Sequence, residues 1–82
     1  MLITIIEITR NGNDVAVIVD GMLILSADPS AGDDPGAVYQ VAERLGTRSD
    51  ATLQIIKQQP EADWNWDAVC KALSPQLKAI CL

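Results

Sequence analysis

Three groups of side chains in this 82-residue chain have types that do chemistry. The loop Asp28–Gly36 holds carboxylates at Asp28, Asp33 and Asp34. Trp64-Asn65-Trp66 sits among the acids Glu61, Asp63 and Asp67. Cys70 and Cys81 supply two thiols.

Clustered carboxylates bind hard cations or work as general acid and base. A calcium loop alternates its ligands and closes on a bidentate Glu at the twelfth position. The acids of this loop do not alternate, and the twelfth residue from Asp28 is Tyr39. A phosphate loop ends in Gly-Lys-Ser or Gly-Lys-Thr; this loop has no Lys, and its carboxylates repel phosphate. Asp33 and Asp34 are adjacent but stand beside no sugar platform of the kind paired glycosidase acids need. Turn formation and helix capping account for the three acids: Asp34 suits an N-cap and Pro35 the first helical position. A weak cation-binding or enzymatic module on residues 28–34 stays open as an alternative.

The chain has no His, so the commonest general base and the usual triads are missing. No nucleophile–base pair takes their place. The expectation is a protein that is not an enzyme, with no catalytic residue, no cofactor and no metal. Ten residues separate Cys70 from Cys81, with neither a C-x-x-C nor a His to complete a zinc site. Both read as buried structural thiols.

On a helix, residues two apart point about 200° apart, so the two Trp rings are not expected in one core. Trp66 fits an apolar stripe. Trp64 is then expected at a rim beside Glu61, Asp63 and Asp67, a hot-spot candidate for a basic partner. The alternative is that its ring closes the edge of the core.

The elements that must carry these groups begin with an apolar, β-rich third. Leu2–Thr9, Val15–Val19 and Met22–Ser26 read as strands. Asn11-Gly12 and Asp20-Gly21 favour two-residue hairpin turns, because both central residues tolerate positive φ. Such turns pair Ile8 with Val15, Ile6 with Val17 and Val17 with Ile24. One face then carries Leu2, Ile6, Ile8, Val15, Val17, Val19, Met22 and Ile24. The other carries Ile3, Ile5, Ala16, Ile18, Leu23 and Leu25. The first is the expected core face. The second is too apolar to stay bare. Either the C-terminal third covers it, or Ile3, Ile5, Ile18, Leu23 and Leu25 form the face of a homodimer.

Val38, Val41, Ala42 and Leu45 give an apolar stripe ahead of Gly46, predicting a helix over about 35–45 on the core face. Residues 51–58 read as a strand or a short helix, the Thr and paired Ile favouring strand. Trp66, Val69, Cys70 and Leu73 predict a helix over 63–73, capped by Asp63 or Asn65. Ser74-Pro75 breaks it, and Leu77–Leu82 is a last apolar run. The expected fold is α+β. A three-stranded antiparallel meander at about 2–26 is packed by the helix, followed by the fourth strand and the C-terminal helix, in one domain over 1–82.

The composition is 49% hydrophobic, rich enough to build a core without disulfides or metal. Net charge is −5, all of it from residues 1–34, which hold six acids and only Arg10 as a base. An acidic face repels nucleic acid and attracts basic partners. No run is long enough for a membrane span, and Met1–Ile8 lacks the basic start of a secretory leader. A cytoplasmic setting with reduced thiols is expected. In size and charge the chain compares with small acidic inhibitors and immunity factors of bacteria and phages, though no motif is shared. The functional expectation is therefore a protein-binding inhibitor, immunity or accessory factor with a basic partner. A self-assembling homodimer is the alternative.

Overall fold

The turn Asp20-Gly21 forms as its residue types demand. Asp20 has φ 49° and Gly21 φ 86°, and Val19 pairs directly with Met22 across the two-residue loop. It joins β2 (Val15–Val19) to β3 (Met22–Ala27), while β1 (Leu2–Ile8) lies antiparallel on the other side of β2. A computed structural model describes residues 1–78 and gives the α+β fold that the sequence predicts. A single 3-10 turn (Pro29–Ala31) leads to α1 (Pro35–Gly46), then β4 (Thr52–Gln58), α2 (Trp66–Ala72) and α3 (Ser74–Leu77). The end of the expected run Leu77–Leu82, Cys81 included, lies outside the described residues.

The sheet order is β3-β2-β1-β4, with β4 parallel to β1. β3 and β4 are therefore the two edges, and α1, which connects them, has to span the sheet. Parallel neighbours need such a crossover. The cap is the one the sequence predicts: the Asp34 carboxylate accepts the Gly36 N–H at 2.9 Å, with Pro35 opening the helix.

The register of β1 against β2 differs from the expected one by one residue. Glu7 faces Val15, Ile6 faces Ala16 and Ile5 faces Val17. Asn11-Gly12 is not a two-residue turn; it sits inside a longer loop, Asn11 at φ 59° and Gly12 at φ 139°. A slip of one residue turns every side chain of a strand to the opposite face. So Ile3 and Ile5, not Ile6 and Ile8, join Val15 and Val17 under Val38 and Ala42 of α1. Ile6, Ile8, Ala16 and Ile18 form a second cluster with Val69, Leu73 and Leu77 from α2 and α3. The proposed homodimer face thus does not exist as one surface. Ile3, Ile5 and Ile18 are buried inside the chain, on opposite sides of the sheet.

A bulge completes the rearrangement. Ile18 pairs with Leu23 and Val17 with Leu25, leaving Ile24 as the extra residue. Met22 and Ile24, expected in the core, are exposed instead. These residues lie at the sheet edge beyond the helical cover, which reaches β3 only at Ala27.

Because β1 is covered on both sides, Ile5→Ala and Ile6→Ala should each cost roughly 2–5 kcal/mol in urea unfolding. Ile24→Ala should cost less than about 1 kcal/mol. A sheet with one solvent face would show the large loss at only one of the two β1 positions.

Candidate interaction surface

The carboxylates of the 28–34 loop are occupied by the backbone. Asp28 Oδ1 accepts the Ser30 N–H at 3.0 Å and the Ser30 hydroxyl at 2.6 Å. Asp33 Oδ2 accepts the Asp28 N–H at 3.0 Å. These bonds hold a short loop in shape, as Asp side chains do in turns. Asp14 joins the group, because the pairing of Val15 with Ala27 sets it beside Asp28. Burial pushes its carboxyl above the usual range, and the charges of Asp28 and Asp33 push it further. No three acid or thiol side chains among the described residues are arranged to hold a metal ion. Residue types alone do not point to Asp14, since its place in the cluster depends on a cross-strand pairing.

Glu7 and Tyr39 close the same end of the sheet. The one-residue slip turns Glu7 towards α1, where it accepts a hydrogen bond from the Tyr39 hydroxyl. That bond, burial and the Glu7 charge, in that order, raise the Tyr39 phenol to about 12. An open groove of about 400 Å³ runs past these residues, lined also by Asp14 and Lys57.

Trp64 lies just before α2, not within it. Asn65 is the N-cap, its side chain accepting the Ala68 N–H at 2.8 Å. Helical spacing therefore does not separate the two rings. Trp64 and Trp66 meet edge to face, with centroids 5.1 Å apart, and both pack on the second core cluster. Trp64 and Val69 hold the N′ and N4 positions of a hydrophobic staple. The indole N–H of Trp64 donates to Asn11 O at 2.9 Å, and the Asn11 amide donates to Pro60 O at 2.8 Å. The ring is half-buried and ties the β1–β2 loop to the segment before α2. Its neighbours Glu61, Asp63 and Asp67 are exposed, and Asp67 pairs with Lys71 at 3.5 Å along the helix. A second open groove of about 470 Å³ follows Trp64, Glu61 and Asp63.

Cys70 packs at the side of the second cluster. Burial and then the Asp67 charge raise its thiol, so the nucleophilic thiolate is disfavoured.

The remaining distinctive surface is β3. Met22 is 68% exposed and Ile24 48%, and Leu23 and Leu25 are also exposed. Four consecutive exposed apolar residues on an edge strand form a contiguous sticky rim. The expected dimer candidates Leu23 and Leu25 lie on it, without Ile3, Ile5 and Ile18.

Tyr39→Phe should lower stability by at most about 1 kcal/mol at neutral pH. The folded chain holds the phenolic proton more tightly than the unfolded chain. The contribution is therefore complete below pH 10.0 and is lost as pH rises towards about 12. Urea unfolding of both proteins across that window checks it. Trp64→Phe should cost about 1–3 kcal/mol through the lost hydrogen bond and packing. Amide exchange in the β1–β2 loop should speed up with it. No protein-family model, curated protein or solved structure matches this chain, so its surface is read from its own chemistry.

Proposed function

We propose that this protein is a small acidic protein-binding domain, an inhibitor, immunity or accessory factor that works through its surface. One observation carries the reading: β3 is an edge strand with a bare apolar run at Met22–Leu25. Such a strand offers unpaired N–H and C=O groups together with apolar side chains, the two things that strand addition uses. Asp14, Asp28 and Asp33 crowd one end of it, which favours a partner with a basic surface. No helix among the described residues is long and apolar enough to cross a membrane. The reading carries a cytoplasmic setting, where Cys70 stays reduced. Self-assembly through the same strand is the second reading, favoured by the bare apolar run itself.

The test is affinity capture on the immobilised full chain, comparing wild type with Ile24→Lys. Wild type should retain a basic protein, retention should fall steeply with added salt, and the variant should lose it. Equal retention by both proteins, or none at low salt, would contradict the proposal.

A further inference from the structure

The two edges of the sheet are not alike. β4 also exposes Leu53 and Ile55, but Thr52, Gln54 and Gln58 interrupt its apolar run and it carries Lys57, a charge of the kind natural sheets use to block edge pairing. β3 reads Met-Leu-Ile-Leu-Ser-Ala and holds no charge. Its ends differ in charge. At the Ala27 end stand Asp14, Asp28 and Asp33, close enough for their charges to act on one another. At the Met22 end the stem of Lys78 lies over Gly21. A Cβ on that glycine would stand 3.1 Å from Lys78 Cγ and 3.5 Å from Cε. Asp20 is at this end too, with its Oδ1 accepting the Leu2 N–H at 2.8 Å.

We infer that the occupant of β3 is the β3 of a second copy, antiparallel about a two-fold axis. This rests on the reading of β3 as an interaction edge. An apolar strand with three acids at one end, and at the other a lysine whose neighbour Asp20 is already engaged by the Leu2 N–H, is complementary to itself in the antiparallel sense. Each Lys78 then meets the partner copy's Asp28 and Asp33. A parallel pairing would place three carboxylates against three. The bulge residue Ile24 falls next to the axis. Regular arms on either side pair Met22 and Leu23 of one copy with Ser26 and Ala27 of the other. The two four-stranded sheets become one eight-stranded sheet, and both bare edges disappear.

Sedimentation equilibrium of the full chain, from micromolar to near-millimolar concentration, tests this. The mass should rise from 8.8 kDa towards twice that value. Ile24→Lys should stay at the monomer mass while unfolding as wild type does. Lys78→Glu should raise the dissociation constant up to about fivefold, the worth of an exposed ion pair. Adding Asp33→Lys to Lys78→Glu should bring it back. A wild-type chain that is monomeric throughout overturns the inference, as does a dimer that Ile24→Lys leaves intact. If the wild type is monomeric but Ile24→Lys still abolishes affinity capture, the binding edge stands and only the second copy falls.

Discussion

The burial of β1 on both faces is the constraint on which the rest of this structure depends. β1 lies between β2 and β4, with α1 on one side and α2 and α3 on the other. Its side chains divide between two clusters, Ile3 and Ile5 into one, Ile6 and Ile8 into the other. Even Thr4, buried on the side of the second cluster, keeps a polar partner: the Gln54 amide donates to its hydroxyl at 2.9 Å. A buried hydroxyl without such a bond would be costly. A one-residue slip would exchange the clusters and turn Glu7 away from Tyr39. The loop that sets this register is held from outside, by Trp64 and by Pro60 O. A C-terminal residue thus helps decide how the first hairpin pairs.

The two covers are unequal. α1 has twelve residues and spans the sheet, while α2 has seven and α3 four. A four-stranded sheet is wider than one helix, so side chains at both edges stay bare. β4 tolerates this because Lys57 and its glutamines interrupt the apolar run. β3 has no such residue, and its bulge alone disturbs the edge. The acids follow the same geometry. Scattered over residues 14–33, they collect at one end of β3 because β2 and β3 are antiparallel. There they repel one another, and burial raises Asp14 further. The surface is polarised along a strand that carries no charge itself.

Much of the candidate surface was legible in residue types, and what was missed has a physical reason. Asp34 as N-cap and Asp28 as a turn residue follow from local chemistry alone. Of the two caps that the sequence offers, Asn65 is the one used, so the helix starts at Trp66, helical spacing does not reach Trp64, and its ring closes the edge of the core. Asp14 is not legible as part of the cluster, because its neighbours lie fourteen or more positions away in the chain. Alternation puts Met22 and Ile24 on the core side, but it says which side a residue faces and not whether anything covers that side.

By itself the sequence determined the element types, the Asp20-Gly21 hairpin, the capped helix at Pro35–Gly46 and the surplus of apolar strand surface. These depend on propensities, caps and turns that act within a few residues. Only the tertiary structure decided the strand order, the register of β1, the bulge in β3 and the strand left uncovered. Each of these weighs contacts between distant segments. Asn11-Gly12 is the clearest instance. The dipeptide favours a tight turn, yet it sits in a longer loop, because Trp64 and Pro60 bind that loop and both faces of β1 are buried in the register it gives.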